Sequence, residues 1–310
     1  MSPPVSIVIV NYKNLKDTSE CLRSIEGITY DNFNIIVVDN ASNDGSLQEL
    51  KKEFPRVLFI ENSINLGFTG GNNAGSQRAY EWGAKYIFFL NNDTTVSSNI
   101  LNELVLFLEG HSGVGLAGPL TCYYEDQGRV AFAGGNINRN TGLITFLKRH
   151  CAAEEIQGQA IYCNFIEGAA LFIRADLMKE LGGFNDDYFL TSEESELCVK
   201  IEDAGYRMAV LTTCRVWHKI SQTMVSASEL TSYFLFRNKL LFVRKNHKNF
   251  ASKDLYEIVR YYCVCFLSFL IKKRNFNACK GLIWGVFDFL AGRVGVGRFK
   301  GKLQPVDSQV

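Results

Sequence analysis

The chain has 310 residues, of which 47% are apolar and 21% charged, and this ordinary globular composition excludes a disordered or collagen-like protein. Its length allows one large domain or two. The nine cysteines form no CxxC pair, so we expect reduced thiols in a reducing compartment. The first residues, MSPPVSIVIVNY, have no basic region and no cleavage pattern, which argues against a secretory signal.

The net charge of +1 hides an uneven distribution. Between Arg237 and Leu303 there are fifteen Lys and Arg against three Asp and Glu, whereas the residues before Arg237 have eighteen against twenty-eight. A basic section on an acidic body indicates an anionic partner. Because this section is also rich in Phe, Leu, Ile, Val and Trp, a membrane surface is favoured over nucleic acid.

The first ninety residues alternate between apolar runs and helical patterns. Unbroken apolar runs without alternation are typical of strands buried on both faces of a parallel sheet. The predicted strands are Val5–Val10, Asn34–Val38, Val57–Ile60 and Tyr86–Leu90, and the predicted helices are Asp17–Ile25, Ser46–Phe54 and Asn72–Trp82. This order predicts an α/β fold, with a mostly parallel Rossmann-like sheet and helices on both faces.

Polar residues follow the first two strands directly, Asn11 after one and Asp39 after the other. Ligands of open α/β sheets bind outside the carboxyl ends of the strands. Asp39 could accept a hydrogen bond from a ribose hydroxyl or a base N–H, or it could cap the following Ser-Asn-Asp turn.

The stretch Asn65–Gly75, NLGFTGGNNAG, follows the third strand and opens a helix. Its glycines would let the backbone approach a ligand, and a helix N-terminus favours anions. The stretch matches neither GxGxxG nor GxxxxGK[ST], so it indicates neither a dinucleotide site nor a P-loop.

The fourth strand ends at Asn91, Asn92 and Asp93, followed by two threonines. A carboxylate among amide and hydroxyl oxygens suits Mg²⁺ or Mn²⁺ shared with a phosphate. The same residues are also ordinary turn chemistry, with Asp93 as a helix cap.

Beyond this point we predict a helix from Ser98 to Glu109 and a short strand over Gly115–Pro119. Irregular strands and loops over the site would follow in Thr121–Ile161, where acceptor contacts are expected. Phe165–Arg174 is a further predicted strand, and Met208–Leu211 another.

Three glutamates, Glu193, Glu194 and Glu196, fall in the first turn of a predicted helix that continues to Ala204. Acids at a helix start are favoured by the helix dipole, so this cluster could be structural. His218 is the other isolated candidate, and a lone histidine is more often a satisfied polar residue than a ligand.

Together these segments resemble family 2 glycosyltransferases of the GT-A fold, especially the bacterial rhamnosyltransferase-like branch. The match is collinear from residue 5 to about residue 240. The matching motifs are VSIVIVNY from Val5, VVDNASNDGS from Val37, NLGFTGGNNAG from Asn65, FLNNDT from Phe89, EGAALFIR from Glu167, GGFNDDYFLTSEESELC from Gly182, VWH from Val216 and FRNK from Phe236.

The resemblance implies a role for each matching residue. Asp39 would contact the nucleoside. Asp93, last in an NND sequence at the family's DxD position, would hold a divalent Mg²⁺ or Mn²⁺ on the diphosphate, with His218 near it. Glu194 would be the catalytic base, with Glu193 as second choice. The remaining donor-binding candidates are Asn11, Asn65, Gly67, Gly70, Asn72, Asn91, Asn92 and Arg237.

The implied reaction is an inverting transfer from a nucleoside-diphosphate sugar, dTDP-rhamnose or a UDP-sugar, to a hydroxyl of a glycan or lipid-linked acceptor in cell-surface polysaccharide assembly. The alternative is a catalytically inactive GT-A module that binds nucleotide or glycan as a partner subunit. Donor hydrolysis or transfer would separate the two.

We expect the catalytic domain to span residues 1–240 and a basic, apolar helical section to span residues 241–310. Tyr261–Ile271 and Gly281–Leu290 are apolar runs too short to cross a bilayer, and both adjoin basic residues. We interpret them as amphipathic helices on the inner face of the cell membrane, which makes the protein cytoplasmic and peripheral. The alternatives are a cap on the catalytic domain or a homodimer face.

Overall fold

A computed structural model describes residues 2–219 and 228–304. Its centre is a sheet with strand order β10-β12-β6-β11-β4-β1-β2-β3, in which β5 pairs with β12 and β7 with β6. The strands are β1 Val5–Asn11, β2 Phe33–Asp39, β3 Leu58–Glu61, β4 Tyr86–Leu90, β5 Thr94–Val96, β6 Val114–Tyr123, β7 Val130–Phe132, β8 Gly135–Ile137, β9 Ile144–Phe146, β10 Ala160–Cys163, β11 Ala170–Arg174 and β12 Arg207–His218.

The sheet is mostly parallel, as predicted. Strand β1 runs parallel to both β2 and β4, β2 runs parallel to β3, and β12 runs parallel to β6. Strand β11 is antiparallel between β4 and β6. Its amino end therefore lies at the sheet edge where β1, β2 and β4 have their carboxyl ends, and this edge carries the site described below.

Ten α-helices lie in the described part of the chain, and they cover both faces of the sheet. They are α1 Leu15–Glu26, α2 Ser46–Glu53, α3 Gly67–Glu81, α4 Ile100–Gly110, α5 Ala175–Glu180, α6 Glu193–Asp203, α7 Glu229–Asn246, α8 Ser252–Leu267, α9 Phe276–Leu290 and α10 Lys300–Leu303. Helices α1, α2 and α4 pack on the face that carries Ile7 and Ile9, whereas α3, α5 and α6 pack on the face that carries Val8. This alternation is what a strand buried on both faces produces.

Three elements differ from the predictions. Helix α3 begins at Gly67 rather than Asn72, so most of the glycine-rich stretch is helical. Strand β6 covers ten residues, and β12 covers twelve and continues to His218 across a register shift between Leu211 and Arg215. Pairing with β6 and β5 extends β12 through polar residues that have no strand pattern of their own.

The C-terminal section packs on the rest of the molecule through α7, and the expected boundary after residue 240 falls inside this helix. Helix α9 lies close against α7 because Gly281 and Gly285 face it without side chains, and a Cβ at Gly285 would come within 2.8 Å of the Tyr233 carbonyl oxygen. Asp288 of α9 is fully buried against Tyr233 and Arg298. None of the described helices is long and apolar enough to cross a membrane.

Candidate active site

Asp39 and Asn11 lie side by side at the carboxyl ends of β2 and β1, where they are register partners. Asp39 is almost fully buried and accepts from Asn11 Nδ2 at 2.8 Å, Ser42 Oγ at 2.6 Å and the Ser42 backbone N–H at 3.0 Å. It therefore caps the turn that follows β2. It also lines a cavity of about 410 Å³ beside Gly45 and Leu47. A carboxylate has lone pairs for further donors, so the turn role and a ligand role are compatible.

A chain of hydrogen bonds joins Asp39 to the residues that follow β4. Asn11 Oδ1 accepts from Thr18 Oγ1 at 2.9 Å, and Thr18 Oγ1 accepts from Asn92 Nδ2 at 2.9 Å. The Asn91 backbone N–H donates to the Ala169 carbonyl oxygen at 2.9 Å. Asn11 and Asn92 therefore fix the three strand ends relative to one another.

The glycine-rich stretch packs helix α3 rather than forming an open loop. Gly67 has φ of +73° and a Cβ there would overlap with the Phe189 carbonyl oxygen, while a Cβ at Gly75 would overlap with Val8 of β1. Asn72 is buried and donates to the Phe68 carbonyl oxygen at 2.9 Å. The helix therefore begins five residues earlier than predicted and close packing accounts for Gly67 and Gly75, while the donor roles of Gly67 and Asn72 stay predictions.

The remaining two candidates of this stretch lie at its edges. The Asn65 side-chain oxygen accepts from the Gly67 N–H at 2.8 Å, which fixes the start of α3. Gly70 lines a second cavity, of about 730 Å³, between α3 and residues 293–304. Neither residue contacts Asp39 or Asp93 in the structure, so their donor roles remain predictions.

Asp93, which is buried, and His218, which is half-buried, form a pair with Asp93 Oδ1 at 3.1 Å from His218 Nε2. Strand β5 follows Asp93 directly, and its Thr94 is the register partner of His218 on β12. This pairing brings together two residues separated by more than a hundred positions. Burial opposes the charged imidazole, yet the Asp93 hydrogen bond and the Asp93 and Glu167 charges raise the pKa of His218 above its ordinary value.

Glu167 is a site residue that sequence reasoning missed. It precedes β11, and one of its carboxylate oxygens is buried without a protein partner. Burial raises the pKa of Glu167, with the His218 charge acting against this rise and the Glu194 charge adding to it. In the sequence, Glu167 is a polar residue shortly before a buried strand. Such a residue lies at the ligand-binding edge of the sheet only if the strand is antiparallel to its neighbours, and the sequence does not show this direction.

Glu193 and Glu194 begin helix α6, as predicted. Both Oε2 atoms are buried and receive no hydrogen bond. Burial raises the pKa of Glu193 well above its usual range, and the Glu194 charge beside it adds to the rise. Burial also raises the pKa of Glu194, but its own backbone N–H, a hydrogen bond from Glu193 and the Lys239 charge act against this rise.

Glu194 lies beside Gly168, the residue after Glu167. A Cβ on Gly168 would lie 3.8 Å from both the Glu194 Cβ and the Phe68 ring. Lys239 approaches from α7 and donates to the Gly142 carbonyl oxygen at 2.5 Å. Burial lowers the pKa of Lys239 to about 8, with the Glu194 charge acting against this shift. Glu194 therefore has a basic side chain of α7 within charge-interaction range.

The segment before α6 has an unusual backbone, because Phe189, Thr191 and Ser192 have φ of 65°, 68° and 70°. Non-glycine residues adopt this conformation only where their surroundings enforce it. Asn238 Nδ2 lies 2.9 Å from the Tyr188 carbonyl oxygen, 2.6 Å from that of Leu190 and 2.9 Å from that of Thr191. From the other side, the Phe68 backbone N–H donates to the Phe189 carbonyl oxygen at 2.8 Å.

Arg237 shares this holding role, and its expected role in donor binding stays a prediction. It is fully buried, and it donates to the carbonyl oxygens of Tyr188 at 3.1 Å and Gly295 at 2.6 Å. Its guanidinium is enclosed by protein groups rather than directed to the strand ends. We conclude that Arg237 and Asn238 position the start of α6.

Comparisons with known proteins agree with this architecture. Residues 6–172 match the family model described as Glycosyl transferase family 2. The chain is 21% identical over 312 residues to the dTDP-rhamnosyl transferase RfbF of Shigella flexneri, covering 96% of this chain and 99% of the relative. It is 24% identical over 250 residues to the low-salt glycan biosynthesis hexosyltransferase Agl10 of Haloferax volcanii, covering 78% and 76%.

Among solved structures, the mannosyltransferase PcManGT from Pyrobaculum calidifontis, in complex with GDP-Man and Mn²⁺, has a similar fold. The TM-score is 0.59 at 16% identity, with 94% of this chain and 75% of that chain covered. The family match extends over more than half of the chain, from β1 into β11. The chain therefore belongs to glycosyl transferase family 2 and is a glycosyltransferase of the GT-A fold.

Proposed function

We propose that the chain is an inverting glycosyltransferase that moves a sugar from a nucleoside-diphosphate sugar to a hydroxyl of a glycan or lipid-linked acceptor. dTDP-rhamnose is the first donor to test, because a relative that matches nearly the whole chain is named a dTDP-rhamnosyl transferase. UDP-sugars are the second choice. The transfer would serve the assembly of a cell-surface polysaccharide.

One observation carries the proposal: Glu167 lies within charge-interaction range of both His218 and Glu194. The Ala169 carbonyl oxygen, two residues after Glu167, accepts from the Asn91 N–H, two residues before Asp93. We infer that the Asp93–His218 pair and the Glu193–Glu194 pair face one shared space at the ligand edge of the sheet. A single displacement requires charge stabilisation on the leaving side and a base on the acceptor side. The two pairs supply groups suited to these two tasks.

The surroundings of Glu193 and Glu194 support Glu194 as the base. Burial raises the pKa of both carboxyls, and the Glu194 charge adds to the rise at Glu193, whereas a hydrogen bond from Glu193 and the Lys239 charge act against the rise at Glu194. We therefore propose that Glu193 carries the proton of the pair and that Glu194, beside Gly168, accepts the proton of the acceptor hydroxyl.

The reaction then proceeds in one step. The acceptor hydroxyl oxygen forms a bond to the anomeric carbon while the bond from that carbon to the diphosphate oxygen breaks. The hydroxyl proton passes to the Glu194 carboxylate, and the diphosphate leaves with the bonding electron pair. Attack opposite the leaving group inverts the anomeric centre, and no covalent enzyme intermediate forms.

A divalent cation fits the residues on the leaving side. No group of three or more His, Cys, Asp and Glu in the described part of the chain could hold a metal by itself. Asp93 and His218 would be the protein ligands, and the donor diphosphate would complete the set, as is usual for Mg²⁺. Bound there, the cation would neutralise charge on the diphosphate. Glu167, with its unpartnered oxygen, is a further oxygen donor nearby.

The donor nucleoside would lie along β1 and β2, next to the cavity beside Asp39. The acceptor would enter from the side of Glu194, past the region between β6 and β10. That region holds the short strands β7, β8 and β9 together with turns, and it is where the acceptor preference of this enzyme would reside.

The test is the melting temperature of the full chain with a panel of nucleoside diphosphates, each with and without Mn²⁺ or Mg²⁺. A ligand that binds only the native state raises this temperature by mass action. We expect a rise with dTDP or UDP that requires the metal in the wild type and is lost in Asp93→Asn. A rise that is independent of metal would overturn the role of Asp93, and no rise with any nucleotide would overturn the donor site.

A further inference from the structure

Helix α9 exposes a stripe of large apolar side chains on the side opposite to its packing face. Phe276, Ile283, Phe287 and Leu290 recur at intervals of seven, four and three residues, which places them on one face of the helix. Phe287 is 61% exposed and Leu290 76% exposed. We call these four residues the outer stripe.

The neighbouring helix repeats the pattern. Helix α8 buries Ile258 and Tyr262, and the Tyr262 hydroxyl donates to the Phe236 carbonyl oxygen at 2.6 Å. Its other side leaves Tyr256, Val259 and Leu267 exposed. A solvated helix normally presents polar residues on this side, so apolar exposure along two helices marks an interaction surface.

The residues around the outer stripe are mainly basic, which favours an anionic partner. Lys272, Lys273 and Arg274 are exposed in the turn that leads into α9. Two of the three carboxylates between Arg237 and Leu303, Asp254 and Asp288, are buried, so positive charge dominates at the surface. A second copy of the chain on this surface would set basic residues against basic residues, whereas anionic lipid headgroups complement them.

We propose that the outer stripe and the Lys272–Arg274 turn dock on an anionic lipid bilayer, with α9 lying in the plane of the interface. The opposite face of α9 carries Asp288, which accepts from the Tyr233 hydroxyl at 2.7 Å. The Tyr233 hydroxyl also accepts from Arg237, which holds the segment before α6. Helix α9 and the segment before α6 are therefore hydrogen-bonded to neighbouring residues of α7, Tyr233 and Arg237.

The test is flotation of the full chain with vesicles of phosphatidylcholine alone and of phosphatidylcholine with phosphatidylglycerol, at low and high salt. We expect binding to the anionic vesicles that weakens with salt and is much weaker on the neutral vesicles. The double variant Phe287→Gln/Leu290→Gln should lower the partition coefficient about tenfold or more, because two large side chains no longer enter the apolar layer. Lys272→Gln/Lys273→Gln should remove most of the salt dependence.

Matched controls separate docking from folding. Leu106 on α4 is 68% exposed, so Leu106→Gln removes a comparable apolar side chain from another surface and should leave vesicle binding unchanged. Lys51→Gln/Lys52→Gln removes two positive charges from another surface and should leave the salt dependence of vesicle binding unchanged. Every variant should keep the wild-type melting temperature and its rise with nucleotide, which reports the donor site independently of the membrane.

Two outcomes would overturn the proposal. Equal flotation of the outer-stripe variant and the wild type would show that the stripe does not enter the bilayer. A wild-type dimer in light scattering that the stripe variant dissociates, together with no binding to anionic vesicles, would assign the surface to a second copy. In either case the donor-site measurement stands, because it is made without vesicles.

Discussion

The donor side and the acceptor side of the site satisfy their polar groups in opposite ways. On the donor side, Asp39, Asn11, Thr18 and Asn92 hydrogen-bond to one another in a continuous chain. On the acceptor side, Glu193 and Glu194 each keep a buried oxygen without a partner, as does Glu167 between the two sides. A satisfied network fixes geometry, whereas unsatisfied buried carboxyls raise their pKa values and become ready to exchange protons. In the proposed function, the fold would therefore hold the donor-binding residues in place and leave the proton transfer to the other side.

The largest effect should come from removing the Glu194 carboxylate, the proposed catalytic base. In Glu194→Gln, we expect transfer to fall by about 10²- to 10⁴-fold, since general-base catalysis contributes this much. Donor binding, measured by the nucleotide-dependent melting temperature, should stay at the wild-type level. Glu202→Gln, on the exposed side of the same helix, is the control and should keep normal turnover. Near-normal turnover of Glu194→Gln would reject Glu194 as the base.

The next effect concerns how the acceptor side is held. Asn238→Ala removes the Asn238 donor from the Leu190 and Thr191 carbonyl oxygens, while the Tyr188 carbonyl oxygen keeps Arg237, and each buried unsatisfied group costs about 1–3 kcal/mol. We expect a loss of stability of this order in denaturant unfolding. The start of α6, which carries Glu194, should shift in this variant. The fold-decrease in kcat should therefore be larger than the fold-increase in the KM for the donor.

Asn246→Ala is the matched control for Asn238→Ala. Asn246 lies on the same helix, and its side chain donates to the Phe242 carbonyl oxygen of that helix. This variant should change neither kcat nor KM. An Asn238→Ala enzyme with a raised KM for the donor and an unchanged kcat would contradict a positioning role for Asn238.

A smaller effect is expected on stability at the glycine-rich stretch. Two glycine-to-alanine variants compare the cost of a steric clash with the cost of a left-handed backbone alone. Gly67→Ala introduces a Cβ onto the Phe189 carbonyl oxygen at a φ of +73°. Gly83→Ala has a similar φ of +80° with nothing within 4 Å. We expect about 1 kcal/mol of destabilisation for Gly83→Ala from the left-handed backbone alone. Gly67→Ala should cost clearly more, and equal unfolding free energies would show that packing on Phe189 contributes nothing.

The smallest effect is a change in the pH dependence of stability. The folded pKa of Glu193 is raised, so the folded state binds more protons than the unfolded state between the ordinary glutamate value and the raised one. The free energy of unfolding should therefore fall as pH rises through this window. Glu193→Gln should flatten this fall, by on the order of 1 kcal/mol per pKa unit removed. If the unfolding free energy of Glu193→Gln depended on pH as in the wild type, Glu193 would not be the group that binds the proton on folding.

The sequence itself determined the donor half. Unbroken apolar runs can be buried only between two layers of helices, so the order of strands and helices, the parallel sheet and the polar residues at its carboxyl edge follow from the chain. Asn11 and Asp39 come directly after such a run, and Asp93 belongs to the polar cluster that ends one. The acids at the start of α6 were equally visible, because a run of glutamates before a helical pattern is a local signal.

Tertiary structure decided the rest, because those features depend on contacts between distant residues. The meeting of Asp93 with His218 required β12 to extend through polar residues by pairing with β5 and β6. The place of Glu167 required β11 to run antiparallel. The glycines of α3 and the buried Arg237 resembled ligand-binding groups in the sequence, and only their packing on Val8, Phe189 and Tyr188 showed a structural use. A local pattern reports which residues can bind a ligand, whereas burial decides which of them face it.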